Sequence, residues 1–257
     1  MRKIFTLLAL IALMLAAEKG WGQPWTYNFG TGIGSHTSGE STVFLPTPSS
    51  GTARVRVGTG SGQINLNNPG TTLGSGTELQ IVAATGASTN KAGIHSWTSP
   101  SKIAYVRFLY RTTSSGNGNL NFSLGSSSLG SDNNGYTGSY NSAFVSFTIT
   151  YSSGSISSVV RRSSGSNTTI ASHGFSKDAD HVVEVFANNS PSSSNYFRNG
   201  TTYTLDATRW DLWVDGTRVV TSGITANMAA DLNLAGFAFY AESSTSNAAS
   251  IYVDDIE

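Results

Sequence analysis

The chain has 257 residues, with 15 basic and 15 acidic side chains and no cysteine. Balanced charge with no basic run argues against a nucleic-acid-binding face. The lack of thiols excludes disulfide staples, a lipoprotein anchor, thiol catalysis and thiolate metal sites, so the fold must rest on a large core of its own.

Arg2 and Lys3 precede an apolar run over 4–17, broken only by Thr6 and followed by Glu18, Lys19 and the small residues Gly20 and Gly22. This is the pattern of a secretory signal peptide. The run is shorter than the roughly 20 residues that a bilayer span needs. Residues 1–22 are therefore expected to be a cleaved signal. The mature chain is expected to be secreted or held at the cell surface, without a membrane span, with 23–257 forming one domain.

Strand signals then recur between clusters of Gly, Ser and Asn. Weak ones lie at 25–29, 63–66, 79–83, 94–97, 120–124, 157–161 and 201–205. Residues 30–51 carry few, and read either as part of the domain or as an irregular extension. Ala53, Val55 and Val57 alternate with Arg54 and Arg56. Over 102–111, Ala104, Val106, Phe108 and Tyr110 alternate with Ile103, Tyr105, Arg107 and Leu109. Over 144–151, Val145, Phe147, Ile149 and Tyr151 alternate with Ser146, Thr148 and Thr150, which predicts one buried and one wet face. Val183, Val185 and Ala187 form one side of a further strand, opposite Val182, Glu184 and Phe186. Stretches 125–131 and 190–194 read as loops, and the one candidate helical turn spans 226–231. About a dozen strands without a long helix predict an all-β sandwich or barrel.

The densest segment is Trp210-Asp211-Leu212-Trp213-Val214-Asp215-Gly216-Thr217-Arg218-Val219-Val220. Asp-Gly between two apolar runs is a hairpin signal, because both residues tolerate positive φ. Trp210, Leu212 and Val214 share one face, and Asp211, Trp213 and Asp215 the other. Gly236-Phe237-Ala238-Phe239 and Tyr252-Val253-Asp254-Asp255-Ile256 follow. This succession resembles the C-terminal half of concanavalin A-like lectin/glucanase domains, including laminin-G-like ones, and its ending is similar to that of jelly-roll carbohydrate-binding modules. The resemblance implies an antiparallel jelly-roll β-sandwich. The Gly20-Trp21-Gly22-Gln23 segment and the Ser, Thr, Asn and Gly richness also resemble secreted proteins of Bacteroidetes-type bacteria.

Hydrolases of that family carry an E-x-D-x-x-E strand. The nearest match, Val253-Asp254-Asp255-Ile256-Glu257, lacks the leading Glu. The four histidines, His36, His95, His173 and His181, are scattered. No Gly-x-Ser-x-Gly elbow sits between a strand and a helix. The resemblance to carbohydrate modules implies a structural calcium, with Asp254 as a ligand, because oxygen donors suit calcium. For glycan binding, the candidates are Trp213 with Asp211, Tyr240 on a neighbouring strand, and Tyr105 with Arg107, provided that their faces coincide on one sheet. Three readings remain: a non-catalytic, lectin-like carbohydrate-binding module, a structural or adhesive surface domain without a small ligand, and a polysaccharide-degrading enzyme. The glycan is the expected partner in the first.

Overall fold

Branched and aromatic residues alternating with Ser, Thr and Asn give pleated strands a face to bury and give a helix no continuous stripe. The computed structural model describes residues 25–58, 62–67, 73–74, 76–86, 88–131, 142–163 and 166–257. The expected signal peptide, 1–22, lies outside them. In chain order the strands are β1 (Gly34–His36), β2 (Gly39–Ser41), β3 (Thr52–Val57), β4 (Ile64–Asn67), β5 (Glu78–Val82) and β6 (Thr89–His95). Next come β7 (Ile103–Ser114), β8 (Gly118–Gly125), β9 (Ala143–Ser152), β10 (Ser155–Ser163), β11 (Ser166–Thr169) and β12 (His181–Asn188). The rest are β13 (Ser194–Arg198), β14 (Thr201–Leu205), β15 (Arg209–Val214), β16 (Thr217–Ile224), β17 (Gly236–Glu242) and β18 (Ala249–Asp254).

Two eight-stranded sheets result. The first has the order β1-β4-β5-β18-β7-β12-β15-β16, and the second β11-β10-β9-β8-β17-β6-β3-β2. β13 and β14 form a separate two-stranded hairpin. The chain crosses between sheets from β5 to β6, β6 to β7 and β7 to β8. Its final pair then inserts into both: β17 between β6 and β8, and β18 between β5 and β7. Every strand pairing among the described residues is antiparallel, and this nested winding is a concanavalin A-like jelly-roll β-sandwich.

The core lies between the sheets. Val106, Phe108, Tyr110, Val183, Val185, Trp210 and Leu212 of the first meet Phe122, Phe147, Ile149, Phe237 and Phe239 of the second, all buried. Phe108 stands 4.9 Å from Phe122 and 5.0 Å from Phe239 between ring centroids. Each such side chain contributes about 1.5–3 kcal/mol on burial, which is how a cysteine-free chain holds together. Trp210 donates its indole N–H to the Ile224 carbonyl at 2.7 Å. A Cβ on Gly223 would stand 2.6 Å from the Trp210 ring, so glycine is required there. The Asp-Gly turn forms as the sequence predicts: Val214 pairs with Thr217, with φ of 47° at Asp215 and 80° at Gly216.

Some expectations change. Segment 30–51 supplies β1 to the first sheet and β2 to the second, and Leu45 to the core. Residues 226–231 form no helix; a four-residue helix, α1 (Ser128–Ser131), sits instead in a stretch read as loop. Residues 25–29 make one isolated bridge, Tyr27 to Ile256. The face of β9 expected to be wet is polar but covered: Ser146 and Thr148 are buried, bonded to Ser123 and Asn121. No helix among the described residues is long and apolar enough to cross a membrane.

Candidate functional site

The parity of β15 is as predicted. Trp210, Leu212 and Val214 enter the main core, whereas Trp213 and Asp211 point out of the first sheet. They do not meet solvent there. The β13–β14 hairpin lies over them, and Trp213 packs in a second apolar cluster with Phe186, Tyr196 and Leu205, flanked by Tyr105 and Tyr203. The Trp213 indole N–H donates to the Tyr196 hydroxyl at 3.0 Å, and the Arg198 guanidinium stands 4.3 Å over its ring. Asp211 is 1% exposed and fully engaged. It accepts from Tyr196 Oη at 2.6 Å, from the Ser222 N–H at 2.8 Å and from Arg218 at 3.3 Å. Arg198 also donates through Nε to Glu184 at 3.0 Å. Asn188 pins the hairpin base through the carbonyls of Ser192, Leu205 and Asp206.

Tyr240 lies in the second sheet, on β17, and is 0% exposed, with its hydroxyl donating to the Leu129 carbonyl of α1 at 3.3 Å. The expected platform of Trp213, Tyr240 and Tyr105 on one sheet is thus corrected: Tyr240 belongs to the opposite layer, and Trp213 is capped. The reason is physical. Parity assigns a side chain to a face of its strand, but not to a sheet, nor to what later folds over that face.

Tyr105 shares the cluster beneath the hairpin with Trp213, whereas Arg107 leads elsewhere. The Tyr105 hydroxyl donates to Glu184 at 3.2 Å, and its ring stands 4.8 Å from Phe186. Burial, reinforced by the Glu184 carboxylate, pushes its pKa up, so it stays a neutral donor. Arg107 pairs with Glu257 at 3.1 Å. Tyr105 and Glu257 line a pocket of about 270 Å³ at one end of the sandwich. Its other walls include Trp25, Trp97 and Phe237, with Ser49, Ser50, Thr98, Ser99 and Ser101 around them. Trp25 stacks on Phe237 at 6.2 Å and 13°, and Trp97 tilts against the same ring at 6.1 Å and 59°.

The pocket is built by the connection from β6 to β7. Ser96 turns it with φ of 57°, and the Trp97 N–H donates to the Ala235 carbonyl at 3.1 Å. Ser101 and Leu234 exchange backbone bonds of 3.2 and 2.7 Å. Ser50 Oγ accepts the Thr98 N–H at 3.1 Å and lies 3.0 Å from the Thr98 hydroxyl. Gly51 permits this approach: a Cβ there would lie 2.6 Å from the His95 carbonyl and 3.1 Å from the Trp97 ring. The Trp97 Nε1 is buried and has no acceptor among the described residues. A buried donor left unpaired costs about 1–3 kcal/mol. The pocket therefore offers ring faces and a hydroxyl rim.

The expected calcium ligand, Asp254, is 0% exposed. One carboxylate oxygen accepts the Asp255 N–H at 2.8 Å, and the other has no partner. Burial raises its pKa to about 7, against that backbone bond. An unpartnered buried carboxylate oxygen fits a hard cation. Among the described residues no three His, Cys, Asp or Glu side chains gather as a metal set, so carbonyls and water would have to complete such a shell around Asp254.

No family model and no curated protein matches this sequence. Among solved structures it is similar to a sialidase, at TM-score 0.48 and 11% identity over 79% of this chain, spanning 16% of that protein's length. It is similar to a carbohydrate esterase from Shiga toxin-encoding bacteriophage phi24B, at 0.45 and 14% identity over 87% of this chain and 97% of the other. It is also similar to the binding domain of botulinum neurotoxin DC, described in complex with SialylT, at 0.40 and 12% identity over 86% and 46%. These likenesses are too distant to bear on the pocket's ligand.

Proposed function

We propose that this chain is a secreted, non-catalytic, lectin-like module that takes a sugar into the end pocket. The observation that carries this reading is the convergence of Trp25 and Trp97 on Phe237 at one opening rimmed by serine and threonine hydroxyls. Apolar walls with a few placed polar groups are the general form of a small-ligand site. Flat rings cover the C–H faces of a sugar, and the hydroxyl rim reads its oxygens. Export to the cell exterior follows from residues 1–22 and belongs to the same proposal, as does a structural calcium at Asp254. The test is a glycan array with Trp97→Ala as control. Binding of at least one glycan by the native chain, lost in the variant, supports the proposal; an array with no signal from the native chain overturns it.

A further inference from the structure

Beyond the hairpin, the outer face of the first sheet carries polar side chains, half-buried at Gln80, Arg111 and Tyr252 and buried at Asn65 and Glu78. Asn65, Gln80, Tyr252 and Arg111 are register partners across β4, β5, β18 and β7, so they form one row perpendicular to the strands. The row is hydrogen-bonded. Asn65 donates to Gln80 at 2.9 Å, Gln80 donates to the Tyr252 hydroxyl at 2.9 Å, and the Arg111 guanidinium stands 4.7 Å over the Tyr252 ring. Arg111 is held on both sides, by Glu78 at 3.1 Å and Asp180 at 3.0 Å. Beside this row lies a groove of about 550 Å³, lined by Asn67, Glu78, Arg111, Thr113, Asp178 and Tyr252. Four strands at about 4.8 Å spacing make it about 14 Å across, longer than a single sugar ring.

The chemistry narrows the occupant. Arg111 in the wall disfavours a bare cation. Three carboxylates, Glu78, Asp178 and Asp180, outnumber Arg111 and the exposed Lys177, whose Nζ is 4.0 Å from Asp178. That balance repels a polyanion. Amide, hydroxyl and carboxylate groups arrayed on a flat floor suit vicinal hydroxyls.

We propose that this groove is a second site, separate from the end pocket, for an extended, uncharged, hydroxyl-rich glycan chain lying across β4, β5, β18 and β7. It rests on the reading of the chain as a glycan-binding module, and makes that module bivalent. A second contact on one long chain raises apparent affinity without any new pocket.

The test is affinity electrophoresis in gels containing a neutral glucan, xylan or mannan, or polygalacturonate. Native chain, Trp97→Ala, Asn67→Ala/Asp178→Asn and the triple variant are compared, with thermal melts to show that each is folded. Trp97→Ala should keep residual retardation on a neutral polymer. Adding the groove substitutions should weaken it about tenfold, the loss of one or two hydrogen bonds to charged or polar groups. Polygalacturonate should not retard the native chain. Groove variants that migrate like their parents in both backgrounds sink the groove and leave the end pocket standing. Retardation by polygalacturonate equal to the best neutral polymer also overturns it. No retardation on any polymer overturns the groove and leaves the end pocket to the array.

Discussion

Trp213 and Trp97 are both indoles beside a sandwich sheet, and they have opposite surroundings. Trp213 is 5% exposed, donates its N–H to Tyr196, and carries Arg198 on its face. Trp97 opens on a pocket, and its buried N–H has no acceptor among the described residues. The same contrast separates two carboxylates. Asp211 accepts three hydrogen bonds, while one oxygen of Asp254 accepts none. Ring and acid together do not define a binding site. What matters is whether their partners are already present in the fold.

Four changes break or sharpen this contrast. The largest effect is expected from Trp213→Ala, which empties the space under the hairpin. Truncation of a buried Trp costs about 3–5 kcal/mol, read as a lower urea midpoint. A loss under about 1 kcal/mol would show the hairpin to be loosely held.

Asp254 comes next. Its folded pKa of about 7 lies above the ordinary value of 3.8. The folded state therefore holds a proton that the unfolded state releases between about pH 4 and 7. Stability from this group is complete below pH 4 and falls as pH rises to 7, by up to about 4 kcal/mol for three units. Asp254→Asn should flatten that part of the melting-temperature profile. Above pH 7, calcium should raise the native melting temperature and EDTA reverse the gain. Indifference to both would remove the calcium and leave the proton as the sole compensation.

Glu184→Gln follows. It leaves the Arg198 charge without its carboxylate, where the two side chains are 12% and 10% exposed. About 2–3 kcal/mol should be lost, at the lower edge of what breaking a buried pair costs. Equal stability of the variant would mean that the pair is effectively solvated. Smallest is Tyr105→Phe, which deletes only the bond to Glu184 and should cost about 1 kcal/mol. The pocket wall stays in place, so glycan affinity should hold within twofold.

Much of the fold was legible. Alternation put Phe108, Phe147 and Trp210 in the core, and Asp215-Gly216 marked its hairpin. β13 was not legible, because the serines at 192–194 read as loop, yet Tyr196 and Arg198 on this strand are what cap Trp213. The end pocket was only partly legible. Tyr105 and Arg107 were candidates by parity, but Trp25 and Trp97 lie on weak strand signals far apart in the chain. Both rings reach Phe237, Trp97 through the β6–β17 register that sets Gly236 opposite His95 and Trp25 through the Tyr27–Ile256 bridge, and long-range pairing decides both. The outer-face row was hidden for the same reason: Gln80 and Tyr252 are neighbours only once β18 inserts beside β5.

The decisive measurement is titration calorimetry of the best array glycan against the native chain, Trp97→Ala and Trp213→Phe, each shown to be folded by its thermal transition. Trp97→Ala should weaken binding by at least about tenfold, as expected for loss of a stacking ring, while Trp213→Phe leaves it within twofold. Affinity lost in Trp213→Phe and kept in Trp97→Ala would contradict the account and move the sugar beneath the hairpin.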